Sequence, residues 1–351
     1  MYFYGVIMTA SFKKHILNFK TPSGTSRGIL KTKETWILII QTKGKEGIGE
    51  CGMFKGLSID DRPDFEGKLK WACTNINKGL EFLISELTEF PSIQFGLEMA
   101  FKSLQSQDKF DLFPSEFTRG NASVSINGLI WMGSEAFMKQ QIKDKIAAGF
   151  NCIKLKIGAI DFQKEIDLLK SIRKQFTSKD IELRVDANGA FSPNEALEKL
   201  KRLSELDLHS IEQPIKQGQI DDMASLCEQT PLPIALDEEL IGVFDVTKKT
   251  ELLQTIRPQY IILKPTLVGG FKGSDEWITS AEENGIGWWI TSALESNIGL
   301  NAIAQYTYKT KNKMPQGLGT GSLFTNNFES PLYVENGRLQ YNKTKNWKIN
   351  L

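Results

Sequence analysis

Histidine is nearly absent from this chain, with only His15 and His209 in 351 residues. Zinc centres, histidine bases and Ser-His-Asp triads all depend on imidazole, so chemistry of that kind has little to build on. Cysteine is scarce as well. Cys51, Cys73, Cys152 and Cys227 are scattered without a CxxC pair, which excludes a disulfide framework and suits four reduced thiols in a cytoplasmic protein. No apolar run approaches the ~20 residues needed to span a bilayer. The first apolar residues precede Lys13 and Lys14, the reverse of a secretory signal. Charge of either sign is not in excess: 43 Lys and Arg against 42 Asp and Glu leave +1. No electrostatic footprint for nucleic acid or an acidic membrane is therefore expected. Nor is there a Ser/Pro-rich linker, a low-complexity tract or an internal repeat to separate independent domains.

The chain does contain a periodic series of charged residues, each at the end of a short apolar run. Lys154-Leu155-Lys156, Asp186, Glu212, Asp237 and Lys264 follow one another at intervals of 30, 26, 25 and 27 residues. That is the length of one strand-helix unit. The runs CIKLKIG, LRVDANG, LHSIEQP, PIALDEE and YIILKPT are rich in branched apolar residues, as strands buried on both faces should be. Alternation along a strand turns Lys154 and Lys156 to one side and Leu155 to the other. Between the runs, Phe162, Ile166, Leu169, Ile172 and Phe176 step by three or four and predict a helix. The next helix opens at Ser192-Pro193-Asn194-Glu195, a capping-box pattern with proline at the first helical position.

Three further strand candidates, ASVSING (122–128), GIGWWITS (285–292) and MPQGLGT (314–320), bring the count to eight. Eight parallel strands alternating with helices make an α/β fold of the TIM-type (β/α) barrel kind. We place the barrel at residues 116–322. Residues 1–115 form an α+β capping domain, with sheet at TWILIIQ (35–41), a glycine-rich loop at 47–58 and helix over about 64–87. Residues 323–351 return to that domain, YVENGRLQYN as a hairpin-like piece.

In such a barrel every residue of the charged series arrives at the C-terminal rim of the strands, where (β/α) barrels carry their active sites. Asp186, Glu212 and Asp237 are hard oxygen ligands without Cys or His nearby, a set that suits Mg2+, with Mn2+ as the alternative, and argues against Zn2+. A single strand-end aspartate is often only a helix cap, and a KxK pair is most often solvated. Five such residues in register on consecutive strands are harder to assign to structure alone.

With their neighbours, KLK, VDAN, EQP, LDE and LKP, these residues resemble the enolase superfamily, in particular its muconate-lactonizing-enzyme subgroup. The resemblance covers nearly the whole chain. It implies that Asp186, Glu212 and Asp237 bind Mg2+, that Lys156 and Lys264 are acid/base lysines facing each other across the substrate, and that Lys154 tunes Lys156. The chemistry is coherent. Removing a proton beside a carboxylate doubles the charge on that group and demands electrostatic stabilisation where the charge develops. A free lysine, at about 10.4, is protonated at neutral pH; crowding Lys156 beside other cations disfavours its charged form.

Within the lysine-based subgroup, GLGTGSLFTNNF has no acidic residue where dipeptide epimerases carry Asp-x-Asp to hold an ammonium group. The stretches TSRGIL, SINGLIW, LVGGF and TSALESNIG resemble most the members that dehydrate 2-succinyl-6-hydroxy-2,4-cyclohexadiene-1-carboxylate in menaquinone biosynthesis, through an ene-diolate. The ligand expected is thus a small-molecule carboxylate. N-acylamino-acid racemase and dipeptide epimerase remain as alternatives, as does a non-catalytic carboxylate-binding barrel. Substrate contacts are expected from Arg27 on the loop between the first cap strands, Asn127 at the end of the first barrel strand, Asn188, Ser292 and Glu295. Glu238 is read as a partner of a lysine or a helix-start acid.

Overall fold

The computed structural model describes residues 7–25 and 28–351. The chain begins with an antiparallel sheet of β1 (Thr9–Thr25), β2 (Gly28–Thr42) and β3 (Lys45–Cys51), in that order. Helices α1 (Phe65–Thr74), α2 (Leu80–Glu86) and α3 (Pro91–Gln105) follow. The sequence reading placed a glycine-rich loop at 47–58, but its first part is strand. The glycines are there for contact. A Cβ on Gly49 would stand 2.0 Å from the Gly96 carbonyl oxygen, and one on Gly47 2.2 Å from that of Ala100. Without side chains at these positions, α3 lies directly on β3 and buries Trp36, Leu38, Leu97 and Phe101 in one core.

The second part of the chain carries a short strand β4 (Ser123–Ser125) and then seven parallel strands. These are β5 (Gly128–Ile130), β6 (Cys152–Lys156), β7 (Glu182–Asp186), β8 (Ser210–Glu212), β9 (Ile234–Leu236), β10 (Tyr260–Leu263) and β11 (Gly287–Ile290), paired in sequence order. Helices α4 (Glu135–Ala147), α5 (Phe162–Arg173), α6 (Pro193–Ser204), α7 (Ile220–Gln229), α8 (Val246–Ile256), the single turn α9 (Pro265–Val268) and α10 (Gly270–Glu283) connect them, and α11 (Asn297–Thr310) follows β11. In α5, Ile166, Leu169 and Ile172 are buried, as their spacing predicts. At α6 the Glu195 carboxylate accepts the Ser192 N–H at 3.1 Å.

The eighth strand position is held by two residues only. Gln316 and Gly317 make parallel bridges to Ile126 and Thr291, with Gln316 N–H on Ser125 O at 2.9 Å and Gly317 N–H on Ile290 O at 2.8 Å. Two other expectations change. ASVSING is not one barrel strand: β4 pairs antiparallel with β13 (Arg338–Tyr341), and the barrel strand starts after Asn127. YVENGRLQYN does form a hairpin, β12 (Leu332–Glu335) with β13, but it joins β4 rather than the first sheet. Contact with β1 comes just before it, through Lys20 N–H on Leu323 O and Thr325 N–H on Asn18 O. No helix among the described residues is long and apolar enough to cross a membrane, and all four cysteines are free.

Candidate active site

Strand register brings the charged series together. Lys156 stands opposite Asp186, and Asp186 opposite Glu212, on β6, β7 and β8. Asp237 and Lys264 are the residues that follow β9 and β10. The parallel strands deliver them to one end because each residue ends or follows its strand; deeper in, the Arg184 guanidinium lies 4.2 Å from the Trp289 ring and donates to Glu182 at 2.7 Å and to Pro315 O at 3.0 Å. Strand β10 is four positions from β6 in a ring of eight, so Lys264 and Lys156 face each other across the pocket that both line.

The floor of this pocket is ionic. Lys154 Nζ donates to Asp186 Oδ2 at 3.1 Å and to Glu212 Oε2 at 2.5 Å. Lys156 Nζ donates to Asp186 Oδ2 at 2.8 Å and to Asn188 Oδ1 at 2.6 Å, and Lys264 Nζ to Asp237 Oδ2. Burial works against the Lys154 ammonium, but Asp186 and Glu212 outweigh it and hold it above the ordinary lysine range. Lys264 is raised in the same way, Asp237 overcoming burial. Asp186 and Asp237 are held low despite burial, the first by Lys154 and Lys156 and the second by Lys264. Glu212 goes the other way, pushed up by burial and by the Asp186 charge. Of the three carboxylates, Glu212 is the one left short of positive charge.

That shortage bears on a metal. Among the described residues no three His, Cys, Asp or Glu side chains stand in metal-cage geometry; the carboxylates of Asp186, Glu212 and Asp237 are turned onto lysines. In donor chemistry they nevertheless fit a hard divalent cation. All are carboxylate oxygens, and Glu212 Oε1 is buried without a hydrogen-bond partner.

A family model described as Enolase C-terminal domain-like matches residues 138–345. The chain belongs to the enolase superfamily. It is 48% identical to the o-succinylbenzoate synthase of Desulfotalea psychrophila over 95% of this chain and 98% of that protein. The crystal structure of MenC from the same organism matches with a TM-score of 0.85 and 44% identity, covering 95% of this chain and 99% of that one. The substrate-liganded L-Ala-D/L-Glu epimerase of Bacillus subtilis shares the fold at a TM-score of 0.81 and 20% identity, over 95% of both chains.

On this superfamily scaffold the other residues singled out in the sequence fall in different places. Asn127 lines the pocket, but it precedes β5 instead of ending a strand. Asn188 receives Lys156, and its amide donates to Glu238 Oε1 at 3.1 Å. Glu238 thus reaches the lysine through Asn188. Ser292 lines the pocket, its hydroxyl 2.6 Å from that of Thr320. Glu295 does not line it. It is fully buried behind the rim, accepting the Ala293 N–H at 2.8 Å and the Thr266 hydroxyl. Arg27 lies outside the described residues. Gln213 was missed: its amide oxygen accepts the Asp237 N–H at 3.2 Å and its amide nitrogen donates to Glu239 at 3.0 Å. It was visible as the middle residue of EQP, next to Glu212.

Proposed function

We propose that this enzyme, a carbon–oxygen lyase, dehydrates 2-succinyl-6-hydroxy-2,4-cyclohexadiene-1-carboxylate to o-succinylbenzoate with the help of Mg2+, as a step of menaquinone biosynthesis in the cytoplasm. The observation that carries the reading is the placement of Lys156 and Lys264 on opposite sides of one pocket with acidic groups between them. The near full-length identity to an o-succinylbenzoate synthase supports it.

Asp186, Glu212 and Asp237 are the residues that would hold Mg2+, or Mn2+ in its place. When bound, the cation supplies positive charge at the substrate carboxylate, where a second negative charge develops. The proton chemistry belongs to the lysines. Lys156 removes the ring proton beside the carboxylate and returns it to the departing hydroxyl on the same face, so elimination is syn. Asn188 fixes the direction of the Lys156 ammonium through its amide oxygen. Lys264 stays cationic, as Asp237 favours, and balances the negative charge from the opposite face. Lys154, paired with Asp186 and Glu212, keeps the floor ordered.

A substrate bearing an ammonium group fits less well. The rim segment 317–323 contributes Gly317, Gly319, Thr320, Ser322 and Leu323 to the pocket and no carboxylate, which speaks against dipeptide epimerisation. The test is turnover of the cyclohexadiene by the Mg2+-loaded enzyme. Exchange of the substrate α-proton with D2O separates an enzyme from a barrel that only binds carboxylates.

A further inference from the structure

Above the ionic floor the pocket has an apolar roof, and one of its residues is strained. Leu294 lines the pocket with φ +63°. For a residue with a Cβ the left-handed region is costly, whereas Gly or Asn would adopt it readily. Leu294 packs with Leu17, Phe19 and Phe324, and Leu30, Phe54, Trp131 and Leu323 cover the same cluster. Residues of the first sheet and of the barrel thus meet over the substrate position, and the leucine closes the seam.

Such strain persists only when the surroundings over-determine it, and here they do. On one side of Leu294 the Ala293 N–H is held by Glu295 Oε2 at 2.8 Å. On the other, the Ser296 N–H is held by Glu50 Oε1 at 2.8 Å, with the Ser296 hydroxyl at 2.5 Å and the Gly299 N–H at 2.8 Å on Oε2. Thr35 donates a further bond to Glu50 at 2.8 Å. Both carboxylates are fully buried. Gly299 is required for the approach, since a Cβ there would stand 2.9 Å from Glu50 Oε2 and 2.8 Å from Glu295 Cβ. Glu295 also takes the hydroxyl of Thr266, two residues beyond Lys264. The bent segment is therefore tied both to β3 and to the helical turn α9 that directly follows Lys264.

We infer that Leu294 is a specificity-determining residue for carboxylates with a neutral carbocyclic body, and that Glu50 and Glu295 are positioning residues that hold its left-handed backbone. The inference rests on reading this pocket as the substrate site. A glycine at 294 would relieve the backbone and lose the roof; the leucine keeps the roof at the cost of strain. Glu50 acts from β3, 246 positions before the Ser296 that it holds, so substrate fit depends on a residue distant in sequence.

The test is steady-state kinetics of the full chain with Mg2+ and the cyclohexadiene, together with thermal unfolding. Leu294→Ala and Leu294→Gly should each raise KM at least ~10-fold, the scale of lost apolar substrate contacts, with kcat changed far less. Leu294→Gly should melt above Leu294→Ala, the reverse of the usual order, because only glycine relaxes at positive φ. Glu50→Gln, with Ser296→Ala as the milder variant, should raise KM in the wild-type background and add little in the Leu294→Gly background, where there is no side chain left to position. A KM within twofold of wild type for Leu294→Ala, a lower melting point for the glycine variant, or full additivity of both latch variants with Leu294→Gly would overturn the inference. Lys156→Ala separates the two ideas: if it retains turnover, the site itself is misread; if it is inactive while the Leu294 variants behave as wild type, only the present inference fails.

Discussion

Lys154→Met removes one ammonium from the floor of the pocket and keeps the bulk of the stem. Lys154 is buried, 3.1 Å from Asp186 and 2.5 Å from Glu212. Removing one partner of a buried ion pair costs about 3–5 kcal/mol, because the other charge is left uncompensated. The lower end is expected, since burial and Asp186 already push Glu212 towards its neutral form. Unfolding entropy near 2.1 cal/mol/K per residue makes one degree worth ~0.7 kcal/mol in a chain of this length, so a loss of about 3 kcal/mol should lower the melting point by ~4 °C in EDTA. The sign with pH follows from the raised lysine. Its contribution is fully present below the ordinary lysine value of 10.5 and is lost only as pH rises through its higher folded value. The gap between wild type and variant should thus be flat across neutral pH. Mg2+ should narrow it, because the cation neutralises the same carboxylates. Scanning calorimetry in EDTA and in Mg2+ measures both quantities, and a variant that melts with wild type in EDTA would refute the assignment of Lys154 as the counter-charge.

Lys156→Ala should lower kcat by about 10² to 10⁴, the worth of a general base, with circular dichroism unchanged at the assay temperature and a lower melting point from the loss of its buried pair with Asp186; a loss of kcat below tenfold would remove Lys156 from that role. Glu212→Gln should abolish turnover and weaken the heat of Mg2+ binding in titration calorimetry, and wild-type metal affinity would exclude Glu212 as a ligand. Glu98 gives a pH prediction away from the pocket. Burial pushes its carboxyl from 4.5 up to about 7 although it accepts backbone N–H groups of Phe271 and Lys272. The folded protein therefore holds a proton that the unfolded chain has released, and stability falls as pH rises from about 4.5 to about 7, by up to ~3 kcal/mol. Denaturant unfolding of wild type against Glu98→Gln across that window should show the slope only in the wild type.

The sequence made the charged rim legible because each rim residue ends a strand and strands turn alternate residues inward. What it could not show is where the chain leaves that regularity. Glu295 was expected in the pocket from its distance beyond β11, but the left-handed turn at Leu294 swings it behind the rim. The glycines of β3 look like a loop until α3 is in place to demand them. Helix α3 itself has almost no polar face to betray its period, as twelve of its fifteen residues are buried. The eighth strand position, two residues long, has too little length for any pattern to mark it.

The most direct test of the account is a side-by-side measurement of kcat/KM with saturating Mg2+, for the cyclohexadiene carboxylate, an N-succinyl amino acid and a dipeptide. Specificity is the ratio of these values. The account predicts the largest value for the cyclohexadiene, with loss of that activity on chelation. A larger value for the N-acylamino acid or the dipeptide would contradict it.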